Sequence, residues 1–327
     1  MVLWVIAILS VIVLEFSFAM RTEVNIAKNY KEETQLYAMA EGGVQRAVAE
    51  LIYKHDPTVQ QKRNKKLEET PPEQREWMTD GRPYPLPFDQ GTCEVRITSE
   101  AGKVNINTVS DPTLRKIIGQ LGLESEAKDI VVDSILDWRD PGELHRLNGA
   151  KSDYYQSLGE PYNCKNGKLD SIEELLLVRG VTPDLFYGRK IDQEEGGGKT
   201  EGIGLRDIFS IYSSGEQIDI NSAPLVTLKI VLGIPNEIAE AIIKAREEKG
   251  FQNQQDLLQK VPELSQFIGQ MAVTFSSTTP SAVAYYTIES RGKSKEGKAV
   301  RGLKTIVKID RQEKTGYKVI QWIDTLI

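Results

Sequence analysis

The apolar positions of this chain begin with an almost continuous run at its amino-terminal end. Residues 1–14 are apolar except for Ser10, and residues 16–20 extend the run beyond Glu15. A helix needs about 20 apolar residues to cross a bilayer, so the run predicts a membrane anchor. A cleaved secretory signal is the alternative interpretation, although such a signal carries a basic segment ahead of its apolar run.

The helical spacing of apolar residues continues well beyond this run. Up to Leu51 they recur at intervals of three and four residues, which is the pattern of one face of an amphipathic helix. No proline precedes Pro57, and only Gly42 and Gly43 weaken the helical pattern. We therefore predict a single helix over residues 2–52, on the order of 75 Å long.

Alternating apolar and polar residues predict strands in two distant parts of the chain. Residues 92–98 alternate, with Cys93, Val95 and Ile97 on one face. Three later runs predict an antiparallel meander: residues 284–290, 303–309 and 318–323. Because the early strand has no partner near it in sequence, we expect the late strands to return to it. The result would be a small sheet packed on the long helix.

The region between these strands reads as mainly helical and contains an internal repeat. Residues 104–114 match residues 218–228 position by position, and residues 169–176 match residues 251–258. In each copy a short extended segment leads into a helix, a glycine-containing turn and a second helix, which is the order of a helix-hairpin-helix module. Two pairs at capping-box spacing predict a helix start in each copy: Ser171 with Glu174, and Asn253 with Asp256.

Two polar segments separate these patterns. Residues 54–90 contain a charged run at 61–69 and five prolines from Pro71 to Pro87, so we expect an irregular connection there. The glycine-rich residues 192–204 predict a flexible joint between the two copies.

Helix-hairpin-helix modules often grip the DNA backbone, and this needs N–H groups in the turn that can approach a phosphate. Here the second turn contains Pro235, which has no N–H, and Glu237 follows it; Glu124 and Glu126 follow the first turn. The whole chain has a net charge of −6, which repels phosphates. We therefore expect a packing module. An envelope-anchored protein that binds DNA during uptake is the alternative function.

The candidate chemistry lies in one turn-rich loop of the first copy. Asp137 and Asp140, with Asp153 further on, bring together carboxylates of the kind that calcium prefers. Ordinary surface acids at a helix end are the alternative. The sequence contains no nucleophile elbow, phosphate loop, zinc spacing or marked pair of catalytic acids, so we do not expect an enzyme.

The remaining reactive side chains are few. Cys93 and Cys164 permit one disulfide at most, and we expect two unpaired thiols. His55 and His145 lie amid polar residues, and we expect both to be solvated.

Several short motifs follow one another in an order that points to a known family. They are Val2-Leu3-Trp4-Val5, Arg21-Thr22-Glu23, residues 38–44, residues 102–107, Leu136-Asp137-Trp138, residues 149–155, residues 171–180 and residues 204–207. In this order they resemble the K-class minor pseudopilins (general secretion pathway protein K) of bacterial type II secretion systems. The resemblance covers essentially the whole chain.

The resemblance implies an α+β fold of pilin type, in which a long N-terminal helix packs on a small antiparallel sheet. A large inserted α-domain would hold the two helix-hairpin-helix (SAM-like) repeats. The resemblance also implies a single-pass protein of the bacterial inner membrane, with its soluble domain in the periplasm. There it would initiate or cap the tip of the pseudopilus in complex with other minor pseudopilins, with no small-molecule substrate and no nucleic acid as partner.

Two further expectations come from the family. Its precursors carry a short basic leader that ends in glycine, so we expect such a leader to be encoded upstream of Met1. Its members bind calcium in the α-domain, and Asp137, Asp140 and Asp153 match their pattern. Gly142 and Lys151 stand where the family usually has acids, which leaves loss or weakening of this calcium site open.

The predicted organisation has five segments. They are the transmembrane part of the helix at 1–20, its amphipathic continuation at 21–52, the connection and first strand at 53–102, the α-domain at 103–270 and the β-meander at 271–327. Within the α-domain, repeat one covers 103–191, the linker 192–204 and repeat two 205–270.

Overall fold

The structure is a computed structural model that describes residues 2–59, 76–188, 190–192, 199–270, 273–275, 283–297 and 299–325. The predicted charged run at 61–69 lies outside the described residues, as do residues 193–198 of the predicted joint.

The chain begins with one unbroken helix, α1 (Val2–His55). Its 54 residues span about 80 Å at a rise of 1.5 Å per residue. Residues 2–31 are exposed throughout, and the first buried side chain is that of Leu36. The predicted single helix is confirmed, and its contacts with the rest of the chain are made by its second half.

Five strands form one antiparallel sheet. Their bounds are β1 Asp80–Phe88, β2 Gly91–Ser99, β9 Val283–Ser294, β10 Val300–Asp310 and β11 Tyr317–Thr325. The strand order is β1-β2-β9-β10-β11, so the early strand pairs with the first strand of the late meander. One face of this sheet packs on α1, which confirms the predicted α+β fold of pilin type.

The prediction of an irregular connection is wrong for its second part, because residues 80–88 form the strand β1, whose pairing with β2 shifts register only between Asp80 and Pro83. Pro83, Pro85 and Pro87 occupy alternate positions in its pairing with β2. Proline has no N–H to donate, so a strand accepts it only where that position faces away from the neighbouring strand. Alternation puts all three prolines on the same side of β1, which is an edge strand of the sheet.

Gly43 lets α1 approach the sheet closely. A Cβ atom at this position would lie 2.7 Å from Cys93 Sγ and nearer still to the Ser290 hydroxyl. That hydroxyl donates a hydrogen bond to the carbonyl oxygen of Ala40 at 2.7 Å and lies 3.1 Å from Cys93 Sγ. The glycine that weakens the helix in the sequence pattern therefore makes room for a buried polar contact between helix and sheet.

Gly43→Ala is expected to lower the free energy of unfolding by about 1–3 kcal/mol, because the added methyl group has to displace buried atoms. Gly42→Ala is the matched control, since a Cβ there would meet only Phe88, at 3.5 Å. Replacement of this half-buried helix glycine by alanine is expected to stabilise by up to about 1 kcal/mol. Denaturant unfolding of both variants in detergent measures the difference, and equal stabilities would contradict the close approach.

The α-domain between β2 and β9 has its own apolar core. Its helices are α2 Asp111–Gly119, α3 Ser125–Arg139, α4 Ser152–Gln156, α5 Pro183–Tyr187, α6 Leu205–Ile208, α7 Leu225–Leu232, α8 Asn236–Glu248 and α9 Gln254–Lys260. Its 3₁₀-helices are Glu100–Gly102, Ile172–Leu177 and Pro262–Gln270. Its short strands pair as β3 Val104–Asn105 with β6 Phe209–Ser210, β4 Lys190–Asp192 with β5 Lys199–Glu201, and β7 Ile218–Asp219 with β8 Val273–Thr274.

The internal repeat is present at the level of single hydrogen bonds. In the first copy Asn107 donates its amide to the carbonyl of Leu169 at 3.0 Å and accepts from the Leu169 N–H at 2.8 Å. In the second copy Asn221 makes the same pair of bonds with Phe251, at 2.9 and 2.7 Å. Each asparagine thus binds a distant segment of its own copy. The residues involved are those that the sequence match pairs: Asn107 with Asn221, and Leu169 with Phe251.

Both predicted capping pairs are also confirmed. Ser171 and Glu174 form a capping box at the start of a 3₁₀-helix, and Asn253 accepts from the N–H of Asp256 at 2.9 Å at the start of α9. The two cysteines are buried free thiols, as expected.

The expectation that His55 is solvated is wrong. It is 4% exposed at the carboxyl end of α1, with Nε2 2.9 Å from the hydroxyl of Tyr286. The pKa of His55 is lowered from 6.5 to about 4, mainly by burial and also by the positive charges of Lys54 and Arg311. The imidazole is therefore neutral in the folded protein at pH 7. His145 is exposed, as expected.

This lowered pKa predicts a loss of stability in mild acid. As pH falls below 6.5 the unfolded chain takes up a proton at His55 before the folded chain does. The contribution of the neutral imidazole is therefore complete above that pH and lost as the pH approaches 4. The loss is expected to be roughly 1–3 kcal/mol.

Unfolding in detergent at a series of pH values measures the effect. His55→Gln is expected to flatten this part of the pH profile, whereas the exposed control His145→Gln leaves it unchanged. A profile that is the same in all three proteins would refute the assignment.

Candidate functional site

The exposed half of α1 is the first functional feature. Within the described residues α1 is the one helix that is long and apolar enough to cross a membrane, and none of its apolar window is buried inside the chain. Apolar side chains along a whole helix need a nonaqueous environment or a partner to cover them. The segment fits a single-pass membrane anchor.

The α-domain lies at the end of the sheet opposite this anchor. Ala40 of α1 contacts Ser290 of β9, whereas His55, at the end of α1, contacts Tyr286, nearer the start of β9. Ser99, the last residue of β2, lies opposite Tyr286. The chain therefore leaves the sheet for the α-domain, and returns from it, at the end that is furthest from the anchor.

A buried ion pair joins the α-domain to the sheet. Arg246 of α8 is fully buried, and its Nη2 donates to Asp80 Oδ2 of β1 at 2.8 Å. Its Nη1 donates to the carbonyl oxygens of Ile220 and Ala223 at 2.9 and 2.8 Å. The Arg246 guanidinium thus links three elements: helix α8, the segment that precedes α7, and β1, the first strand of the sheet.

Arg82 completes this junction at the surface. Its Nη2 donates to Asp80 Oδ2 at 2.7 Å and its Nη1 to Glu247 Oε1 at 2.6 Å. Burial would raise the pKa of Asp80, but the hydrogen bonds from Arg82 and the charge of Arg246 bring it down from 3.8 to about 2. Asp80 is therefore ionised at neutral pH, so that its negative charge pairs with the positive charges of Arg82 and Arg246.

A second link lies beside the first. Glu100 is buried at the start of the α-domain and accepts from the Thr287 hydroxyl of β9 at 2.7 Å. Lys103 reaches the same carboxylate at 3.4 Å and the carbonyl of Arg206 at 3.3 Å. The α-domain is held to the sheet by buried polar contacts on two strands.

Asp80→Ala is expected to destabilise the protein by about 3–5 kcal/mol, because it leaves the buried charge of Arg246 without a carboxylate. Arg82→Ala is the matched control, since it removes a partner whose side chain is 28% exposed and keeps the buried pair. Its cost is expected to be about 1–2 kcal/mol. Chemical unfolding compares the two, and equal losses would show that the isolation of Arg246 is not the dominant effect.

The two hairpin turns of the α-domain share one backbone form. Gly122 and Gly233 both have a positive φ, of 75° and 68°, after the first helix of each hairpin. Pro235 stands immediately before α8, where it offers no N–H, and Glu237 is exposed in the first turn of that helix. The second turn therefore lacks the features that favour a phosphate.

The loop predicted to bind calcium lies at the carboxyl end of α3. Asp137 is fully buried there, and Arg146 bridges it to Asp140, with Nη1 2.7 Å from Asp137 Oδ1 and Nη2 2.8 Å from Asp140 Oδ2. The backbone N–H of Arg146 donates to the other oxygen of Asp137 at 2.9 Å. Both carboxylate oxygens of Asp137 are therefore engaged by Arg146.

Lys151 is buried next to this bridge, with 3% exposure. Its Nζ donates to the carbonyl oxygens of Asp137 and Asp140 at 2.6 and 2.7 Å and to Asn166 Oδ1 at 2.9 Å. Carbonyl and amide oxygens are also the ligands that calcium takes on loops.

The predicted site residues do not form one cluster. The structure brings Asp137 and Asp140 together and places Asp153, exposed, on α4. Across the part of the chain that the structure describes, no group of three or more His, Cys, Asp or Glu side chains is placed to hold a metal ion. The arrangement does not fit a calcium ion on these three aspartates, and calcium binding stays a prediction.

The sequence prediction missed the role of Arg146 and Lys151 because it looked for acids. A signal for them exists: Pro141 follows the helix end and has no N–H, so the carbonyl of Asp137 needs a donor from elsewhere. A lysine ten residues further on can supply it, but the spacing alone does not show that it does.

The fold and these features together define a pilin-like protein with a helix-hairpin-helix insertion and an apolar N-terminal helix that fits a single-pass membrane anchor. Residues 98–188 match the family "Type II secretion system (T2SS), protein K", and residues 213–272 match "Helix-hairpin-helix motif". These matches confirm the resemblance to the K class of type II secretion proteins.

Similar curated proteins carry the same description. The chain is similar to type II secretion system protein K of Pseudomonas aeruginosa, with 23% identity over 60% of this chain and 56% of that protein. The proteins of the same name from Pectobacterium carotovorum and Aeromonas hydrophila are 26% and 28% identical, over 34% and 31% of this chain and 38% and 36% of their own length. The matches thus span about a third to just over half of these relatives.

A solved structure shows the same fold over nearly the whole chain. It is a chain of the crystal structure of the GspK-GspI-GspJ complex from the type 2 secretion system of enterotoxigenic Escherichia coli, with a TM-score of 0.56 and 15% identity. The match covers 92% of this chain and 99% of that one.

Proposed function

We propose that the chain is a structural minor pseudopilin that initiates or caps the tip of the type II secretion pseudopilus. The observation that supports this most is the place of the α-domain, at the end of the sheet furthest from the anchor. In a filament of pilin-like subunits, a subunit added above would need that end to be free. The α-domain fills it, and the buried pair of Arg246 and Asp80 keeps it there.

The exposed half of α1 would serve this function in two environments. Before assembly, its apolar residues hold the subunit in the bacterial inner membrane, with the soluble domain in the periplasm. In the filament, the same surface packs against the helices of neighbouring subunits, because an apolar face that leaves lipid has to be covered. Since the similar crystal structure is of a complex of three secretion proteins, we propose other minor pseudopilins as the partners.

Replacement of residues 103–270 by a short glycine-serine linker tests the cap. We expect a subunit that reaches the membrane at the normal level but no longer ends the filament, so that pseudopilus length measured by electron microscopy changes. The matched control is the full chain with the same linker inserted at residue 195, which keeps the α-domain. Unchanged length in the deletion variant would count against the cap.

The full chain is also used to test the alternative function, DNA binding. In a gel-shift assay at low salt, tight and salt-sensitive binding by the full chain in detergent would contradict a purely structural role.

A further inference from the structure

We infer that the ammonium group of Lys151 is the resident cation of the loop that follows α3, where it takes the place of a divalent metal ion. The α-domain would then be independent of calcium.

The surroundings of Lys151 are those of a filled cation site. Its ammonium has three N–H donors, and the structure gives it three oxygen acceptors, from Asp137, Asp140 and Asn166, at 2.6 to 2.9 Å. The side chain is 3% exposed. A buried ammonium group is retained only where such acceptors replace its water, so each donor is used and no further ligand is needed.

The local backbone explains why these oxygens need a cation. The carbonyl of Asp137 belongs to the last turn of α3, and Pro141 cannot donate to it. Carbonyls at a helix carboxyl end carry partial negative charge and favour a nearby positive group. Asn166 has a φ of 51°, the left-handed conformation that asparagine tolerates, and its amide oxygen completes the three.

The carboxylates of the loop are neutralised in the same way. Arg146 donates to Asp137 through its side chain and its backbone, and to Asp140 through the same guanidinium. Arg146 thus engages both carboxylates, whereas Lys151 engages the backbone carbonyls of the same two residues. A calcium ion in this place would lie against the positive charges of Lys151 and Arg146, which repel it.

The loop also closes over Asp137. A Cβ atom at Gly149 would overlap Asp137 Oδ2, so the backbone at Gly149 packs directly on this carboxylate. From the side of Gly149, a metal ion could reach this oxygen only by displacing the loop.

The wild-type protein in detergent gives the first test. We expect its unfolding midpoint to be the same with excess calcium chloride and with EDTA. We also expect no sensitised terbium emission, although Trp138 and Tyr155 lie beside the loop and would transfer energy to a bound Tb³⁺ ion. A midpoint that rises with calcium and falls with EDTA would overturn the inference.

Lys151→Asp tests whether a calcium ion can take the place of the Lys151 ammonium group. Removal of the ammonium leaves the oxygens unfilled, so we expect the variant to unfold at lower temperature in EDTA and to recover with calcium, with terbium emission appearing. Lys151→Met removes the charge without adding a ligand, and calcium is not expected to rescue it. A Lys151→Asp protein as stable in EDTA as the wild type would show that the ammonium is not needed.

Two further variants keep the test decisive where Lys151→Asp does not fold. Asn166→Asp adds a carboxylate beside Lys151 and is expected to leave the protein unresponsive to calcium, whereas at a true metal site it would strengthen binding. Asp153→Asn alters the exposed acid and is expected to change nothing. Calcium-dependent stability in Asn166→Asp would refute the inference.

Discussion

The arrangement of this protein depends on one buried guanidinium. Arg246 joins two carbonyls of the α-domain to Asp80 of the sheet, and the side chains of both charged partners are almost inaccessible to solvent. Breaking such a pair leaves an unpaired charge in the interior, which is costly. The pair therefore fixes the orientation of the α-domain on the sheet even where it adds little net stability. Together with the hydrogen bond between Glu100 and Thr287 on β9, the pair holds the α-domain to the sheet at two strands.

The direction of the long helix is set by its own contacts with the sheet. Gly43 draws the second half of α1 onto the sheet, and His55 is buried at its far end. The apolar half is thereby left outside the fold at one extremity, and the α-domain lies at the other. In the proposed pseudopilus, this arrangement would let neighbouring subunits approach from the side and from below, but not from above.

The sequence pattern was sufficient for the parts that repeat or alternate. The long helix, the late strands and the duplicated asparagines at 107 and 221 follow from periodicity and from position-by-position matching. The sequence pattern failed where a residue lies outside its usual environment. The prolines of β1 lie in an edge strand of the sheet. His55 has polar neighbours in sequence but is buried by a contact with a residue 231 positions away. For the loop predicted to bind calcium, the acids were visible in the sequence. The basic side chains that contact Asp137 could not be assigned from the sequence. Arg146 and Lys151 reach Asp137 only once the loop has folded back on α3.

The prolines of β1 have a consequence for the same junction. An edge strand with free N–H groups is a template for pairing with another chain. Pro83, Pro85 and Pro87 remove those donors from the outer side of the strand that begins with Asp80. A foreign strand paired there would lie against the residue that holds Arg246. The edge that positions the α-domain is thus closed to strand addition by its own sequence, and the other edge, β11, carries no such block in its residues 317–325, which contain no proline.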